Sequence, residues 1–152
     1  MSAKKHHIEA HATSTAVPAA VWALLSDVTT WSAWAPFDAS ELVEPGAPDP
    51  NGVGAQRRFR RGRRTTVERV VAFDPPGHFA YALVSGLRGV RDYRADVTLT
   101  PSATGGTDIV WRSSFASSAP GAGWMTKKVL EVFIGRVATA LAIRATADTR
   151  VA

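Results

Sequence analysis

The chain has 152 residues, of which 45% are hydrophobic and 20% charged, and this length and composition predict a single globular domain with a full core. It contains no cysteine, which excludes a disulfide scaffold, thiolate metal sites and a cysteine nucleophile. The sequence has neither an apolar run of the ~18 residues that a membrane span needs nor an apolar h-region after its N-terminus. We therefore expect a cytoplasmic protein without a membrane span.

The net charge of +5 has a local source. Six arginines lie between Arg57 and Arg64, and the other residues together are close to neutral. A run of like charges in a folded domain is usually solvated surface, so we expect most of these arginines to contact water. Nucleic-acid binding is not expected, because Phe59 is the one aromatic residue interleaved with them. Binding of these arginines to an anionic membrane surface or to an acidic partner remains an alternative.

The predicted elements follow from periodicity and from the positions of proline. Apolar and polar residues alternate over 6–15, which is typical of a half-buried strand. Pro18 begins a helix at a position where no backbone N–H is needed, and Pro36 ends a second short helix. The spacing over 124–147 predicts one long amphipathic helix. Strands are predicted over 37–43, 55–61, 64–73, 79–85, 93–100 and 107–115, with a proline- and glycine-rich loop over 44–54.

This order of elements predicts an α+β fold. Consecutive strands joined by tight turns pair antiparallel, and the last helix is the one element long enough to cover the apolar face of their sheet. We expect a curved antiparallel sheet of about six to seven strands wrapped around the C-terminal helix, with two short helices after the first strand. A cavity between sheet and helix is expected to follow from that shape.

Several segments resemble the START-like, Bet v 1-like (SRPBCC) superfamily, and its polyketide cyclase/dehydrase-like branch in particular. The main one is Pro18-Ala-Ala-Val-Trp22-Ala-Leu-Leu-Ser-Asp27-Val-Thr-Thr-Trp31-Ser-Ala-Trp34. The others are Gly52-Val-Gly54, Glu68-Arg-Val70 with Phe73-Asp-Pro-Pro76, and Gly106-Thr107 leading to Trp111.

The resemblance implies one START-like domain over 1–152, with a core of about 8–147. It also implies a helix-grip fold with a ligand cavity under the C-terminal helix. In the resembling family the segments matching 44–54, 86–89 and 117–123 lie near the cavity mouth. Because this fold hosts lipid carriers, hormone receptors and cyclases, the resemblance alone fixes no activity.

Strand alternation picks out residues of the concave face, including Tyr81, Tyr93 and Trp111. These aromatic residues are explained either as plain core or as the border of an apolar pocket whose ligand would partner the tyrosine hydroxyls. Because the resemblance implies that 86–89 and 117–123 lie near the cavity mouth, Leu87 and Trp124 are expected to close over such a ligand. The full set of candidate ligand-binding residues is Trp34, Phe59, Tyr81, Leu87, Tyr93, Trp111, Trp124, Phe133 and Val137.

The arginine segment predicts a hairpin with a two-residue turn at Gly62-Arg63. That turn pairs Arg57 with Glu68 on the concave face. Val71 and Phe73 favour the opposite face for the second strand, so the orientation of that strand is left open. The ion pair between Arg57 and Glu68 has two explanations. It either stabilises the sheet, or it serves as a polar anchor in which the arginine donates hydrogen bonds to the carboxylate or enolate of a ligand.

The leading function is binding of a small hydrophobic or amphipathic molecule, lipid- or polyketide-like, in the cavity. The first alternative is an aromatase/cyclase- or dehydratase-like enzyme acting on a polyketide-type substrate, with Arg57, Glu68, Tyr81 and Tyr93 as candidate catalytic residues. The second is a regulatory protein-interaction module with the same fold. No cofactor is predicted, and a homodimer is left open.

No metal site is predicted. His7, Glu9 and His11 share a strand face, but residues four apart on a strand are too distant to bind one ion directly. The sequence also has no G-x-S-x-G, phosphate-loop or G-x-G-x-x-G motif, which disfavours hydrolase, kinase and dinucleotide-binding functions.

Overall fold

The structure, a computed structural model, describes residues 4–119 and 121–151. Its elements follow the predicted order, with seven strands, two short α-helices and a long C-terminal helix in the part of the chain described. The strands are β1 (Lys5–Ser14), β2 (Ala39–Glu44), β3 (Gln56–Arg61), β4 (Arg64–Asp74), β5 (His78–Ser85), β6 (Val90–Pro101) and β7 (Thr107–Ser117). The helices are α1 (Pro18–Ser26), α2 (Trp31–Trp34) and α3 (Gly123–Val151), with a 3-10 turn at Val28–Thr30.

The seven strands form one antiparallel sheet in the order β1-β7-β6-β5-β4-β3-β2. The first strand therefore pairs with the last, while the others follow chain order. This arrangement confirms the predicted α+β helix-grip fold, with a curved sheet, a long C-terminal helix and short helices after the first strand. Among the described residues, no helix is long and apolar enough to cross a membrane.

The β3–β4 hairpin has the predicted register. Arg61 pairs with Arg64, and Arg57 pairs with Glu68, around the two-residue turn. The inner face of β4 changes along the strand because of a bulge between Val70 and Ala72. Before the bulge the even-numbered residues Glu68 and Val70 face inward, whereas after it Phe73 pairs with a core residue of β5.

Helix α3 is packed unevenly against the sheet. Its fully buried side chains lie in the stretch from Ile134 to Ala145, and the helix as a whole contacts β1, β7 and α1. The preceding turns carry exposed residues, including Val129 at 69% and Val132 at 57% exposure. In the first half, Gly123 packs against His6 of β1, and a space remains between the helix and strands β4 and β5. That space forms a cavity lined by Leu130 and Phe133 on the helix side.

Candidate functional site

A cavity of about 170 Å³ lies between the concave face of the sheet and the first half of α3. Exposed residues such as Arg64 and Val129 line one end, so the cavity opens to solvent there. We call that end the mouth and the buried end beside Glu68 and Tyr81 the inner end. The lining residues are Trp31, Phe37, Phe59, Arg61, Arg64, Thr66, Glu68, Tyr81, Leu83, Leu87, Tyr93, Val129, Leu130, Phe133, Ile134 and Val137.

Six of the nine candidate ligand-binding residues lie in this lining. They are Phe59, Tyr81, Leu87, Tyr93, Phe133 and Val137. The other three do not line the cavity, each for a different reason. Trp34 packs on Trp31 with ring centroids 4.8 Å apart, and Trp111 is fully buried behind Tyr81. Trp124 is 59% exposed, so it is not closed over the cavity.

The three segments expected near the mouth also differ from one another. Leu87, in the 86–89 turn, lines the cavity. None of the described residues of 44–54 or 117–123 does. The 44–54 segment instead folds on itself through backbone hydrogen bonds from Gly46 to Pro50 and from Ala47 to Val53. It is therefore held by its own turns and by a hydrogen bond from Gly54 to Val70 of β4, and it does not line the cavity.

Arg57 and Glu68 form an ion pair beneath the cavity. Arg57 Nη2 donates to Glu68 Oε1 at 2.7 Å, and the two side chains are 0% and 14% exposed. Within the described residues the other two guanidinium nitrogens, Nε and Nη1, have no hydrogen-bond partner. Aromatic rings take their place: the guanidinium carbon lies 4.8–5.2 Å from the ring centroids of Trp31, Phe59, Phe79 and Tyr81. The cation is thus held by one carboxylate and four ring faces.

The two partners of this pair face different surroundings. Glu68 lines the cavity, whereas Arg57 does not. Burial raises the pKa of the Glu68 carboxyl above its usual range, and the Arg57 guanidinium opposes that rise. The group presented to the cavity is therefore a hydrogen-bond-accepting carboxyl, not the arginine donor that the sequence suggested as an anchor.

The two tyrosines stand next to Glu68 at the inner end. Trp111 Nε1 donates to the Tyr81 hydroxyl oxygen at 3.1 Å, which leaves the Tyr81 proton free to donate. The Tyr81 and Tyr93 ring centroids are 6.3 Å apart. Burial raises the pKa of Tyr93 to about 12, and burial also raises the pKa of Tyr81. Both hydroxyls therefore stay protonated near neutral pH and can donate to a developing oxyanion.

Nine of the sixteen lining residues were not among the candidate site residues, and two groups of them bear on the chemistry of the site. The first is Arg61 and Arg64, which are exposed as expected and also line the mouth. The second is Trp31, which packs against the Arg57 guanidinium. The alternation that placed Phe59 inward also places Arg61 inward, two residues later, and would have identified it. No sequence signal brings Trp31 to Arg57, because that contact depends on how α2 folds over β3.

The outer face of the sheet carries the residues considered for a metal. His7, Glu9 and His11 are exposed on β1 as expected, and Glu9 is engaged by Arg112 Nε at 2.5 Å. His11 Nε2 lies 3.5 Å from Glu9 Oε2. Across the described residues, no group of three or more His, Asp or Glu side chains is placed to hold a metal ion.

Residues 5–148 match the model of a family described as polyketide cyclase/dehydrase and lipid transport. No curated protein sequence matches the chain.

Several solved structures have the same fold. A START superfamily protein from Mycobacterium smegmatis is 16% identical, with a TM-score of 0.77 over 92% of this chain and 97% of its own. A norcoclaurine synthase point mutant from Thalictrum flavum, in complex with a transition-state analogue, is 14% identical, with a TM-score of 0.78 over 98% and 99%. A protein from Nitrosospira multiformis is 18% identical, with a TM-score of 0.75 over 95% and 99%. Identities this low establish a shared fold and nothing more.

Proposed function

Because the chain belongs to the polyketide cyclase/dehydrase and lipid transport family, we propose that it binds a small hydrophobic or amphipathic molecule in the cavity between the sheet and α3. The observation that carries this proposal is the composition of the lining. Ten of the sixteen lining residues are Trp, Phe, Leu, Ile or Val, while five of the six polar side chains lie at the two ends and Thr66 lies between them. An apolar wall with a few placed polar groups is typical of a ligand site.

The size of the cavity limits the ligand. Its volume of about 170 Å³ is below the ~300–1,000 Å³ of pockets that enclose drug-sized ligands. The ligand is therefore either small or extends out through the mouth. Aromatic rings on several sides favour a flat apolar body, because such a body can pack against ring faces or edges.

The test is binding of anilinonaphthalene, a neutral fluorescent probe that brightens in apolar surroundings. Leu130→Trp adds an indole at a half-buried lining position and is expected to weaken binding about tenfold or more. The matched control is Ile143→Trp on the same helix, at a position that is 64% exposed and does not line the cavity. The control is expected to bind the probe as the parent does. Equal binding by both variants would place the probe elsewhere and contradict the proposal.

A second candidate function, catalysis by proton transfer, is favoured by one further observation. Glu68, Tyr81 and Tyr93 meet at the inner end of an apolar cavity, and burial raises the pKa of Glu68 toward the range of a general base. In an aldol-type ring closure, the Glu68 carboxylate would take a proton from carbon between two carbonyls. The resulting enolate, held by hydrogen bonds from the tyrosine hydroxyls, would attack a ketone of the same molecule, and the alkoxide formed would take the proton back from Glu68. The carboxylate would then take the second proton from the same carbon as the new hydroxyl group leaves as hydroxide. Transfer of that proton to the hydroxide would release one water and leave Glu68 as the carboxylate again.

Incubation with a linear triketone tests this second candidate. Mass spectrometry would detect a product lighter by one water, formed faster than in protein-free buffer. Glu68→Gln keeps the size and a hydrogen-bond acceptor for Arg57 but removes the base, so it is expected to reduce the excess rate to the background. An unchanged rate in Glu68→Gln would exclude Glu68 as the base.

A further inference from the structure

The arginines of the β3–β4 hairpin divide into paired and unpaired groups. On the outer face, Arg58 contacts Glu41 at 2.5 Å and Arg60 contacts Asp38 at 3.4 Å. Arg61, Arg63 and Arg64, at the turn, form no salt bridge within residues 4–119 and 121–151. Three of the four hairpin arginines without a salt bridge among the described residues therefore lie at the turn, and the fourth, Arg69, lies at the other end, opposite Gln56.

The turn lies at the mouth of the cavity, where Arg61 and Arg64 both belong to the lining. These two residues are directly opposite each other in the β3–β4 register. Two like charges in that position repel, so the pair has a cost that an anion between them would remove. The guanidinium of Arg61 also lies 5.1 Å from the ring centroid of Phe133, another lining residue, and this contact holds the charge against the cavity wall.

The two ends of the cavity differ in charge. At the inner end the charged side chain in the lining is Glu68, whose carboxylate would repel an acidic ligand group. At the mouth both charged side chains are arginines, which bind carboxylate, sulfonate and phosphate oxygens through paired N–H donors. An acidic ligand is therefore oriented one way, with its acid at the mouth and its apolar body inside.

We propose that the cavity takes an amphipathic organic acid, whose anionic group is bound between Arg61 and Arg64 while its apolar body lies against Phe133 and the inner wall. This inference rests on the proposed binding function and names the chemical class of its ligand. It also accounts for a cavity too small for a whole drug-sized ligand, because the acidic group lies outside the enclosed volume.

Two probes that differ by one group test the inference. Anilinonaphthalene is neutral, and anilinonaphthalene sulfonate carries one acidic group on the same rings. In the Arg61→Gln/Arg64→Gln variant, the affinity for the sulfonate relative to the neutral probe is expected to fall about tenfold from the parent value. The neutral probe corrects for any loss of the contact between Arg61 and Phe133. High salt is expected to lower the same ratio in the parent protein.

The matched control is Arg60→Gln/Arg63→Gln, which removes the same formal charge from the same hairpin at positions outside the lining. This variant is expected to keep most of the parent ratio. The inference is overturned if the affinity ratio is unchanged in Arg61→Gln/Arg64→Gln or is reduced equally in both double variants. The proposed function would stand in either case, because it depends on binding of the neutral probe. If the parent protein binds neither probe, the proposed function itself is contradicted, and the inference with it.

Discussion

The ion pair between Arg57 and Glu68 permits a test of how much this pair, at the inner end of the cavity, contributes to the free energy of unfolding. Arg57→Met keeps an apolar side chain of similar length but leaves the Glu68 carboxylate buried without its cation. Breaking a buried pair on one side costs about 3–5 kcal/mol. With a urea dependence of about 2 kcal/mol per M, the unfolding midpoint is expected to fall by roughly 2 M. The matched control, Arg58→Met, breaks the exposed pair with Glu41 on the same strand and should cost only ~0.2–1 kcal/mol.

The cost of Arg57→Met is expected to depend on pH. Burial raises the pKa of Glu68 above its ordinary value of 4.5, so the folded state holds the proton more tightly than the unfolded state does. The stability that this group contributes is present below about pH 4.5 and lost as pH rises through the folded pKa. Without the Arg57 guanidinium that pKa rises further, so the loss is larger. The difference in unfolding free energy between parent and Arg57→Met should therefore grow from about pH 4 to about pH 7.

Removing the other partner gives a different pH dependence. In Glu68→Leu the Arg57 guanidinium stays charged at every accessible pH and the titrating carboxyl is gone, so the cost should fall from about pH 4 to about pH 7 as the parent loses the stability that Glu68 contributes. The Arg57→Met/Glu68→Leu double variant replaces both charges by apolar groups and is expected to recover most of the stability. Urea unfolding of the parent, the two single variants and the double variant measures these free-energy differences. Single-variant costs that simply add in the double variant would refute the account, because they would mean that the two charges do not interact.

Three further predictions concern the aromatic groups and the mouth. Tyr81→Phe leaves the buried Trp111 Nε1 without its acceptor and should cost ~1–3 kcal/mol in urea unfolding; no cost would mean that the indole finds another partner. The chain has two tyrosines, and because burial raises the pKa of both, spectrophotometric titration should show no tyrosinate below about pH 11 while the protein is folded. Anilinonaphthalene should slow hydrogen exchange in the 86–89 turn and at 129–133 but not in 44–54; protection of 44–54 would place the entrance elsewhere.

The hairpin shows how far the sequence determines local structure. Its register followed from one two-residue turn, because a turn of fixed length leaves a single pairing of Arg57 with Glu68. The side on which β4 turns Val71 and Phe73 could not be derived in the same way. A bulge after Val70 shifts the alternation by one residue, so inward residues with even and odd numbers coexist on one strand. Val70 from one set and Phe73 from the other therefore both pack against the core.

The candidate site was predictable to the extent that it depends on alternation within strands. Phe59, Tyr81 and Tyr93 were assigned to the concave face by their positions alone, and they line the cavity. Trp124 was placed at the mouth through the family resemblance, but the first turn of α3 leaves it exposed. How far a helix end stands from a sheet depends on side chains packed many residues away, and no local pattern encodes that distance.

The same geometry changes what the buried arginine can do for a ligand. Arg57 is enclosed by four aromatic rings and does not reach the cavity, so its effect on a bound molecule passes through Glu68. It keeps one carboxylate oxygen engaged and lowers the cost of ionising Glu68 at the inner end. Arg61, four residues further along the same strand face, is not enclosed in this way and lines the cavity directly at the mouth. One strand face thus supplies a positioning cation inside and a ligand-facing cation outside, and the direction in which an amphipathic acid enters follows from that difference.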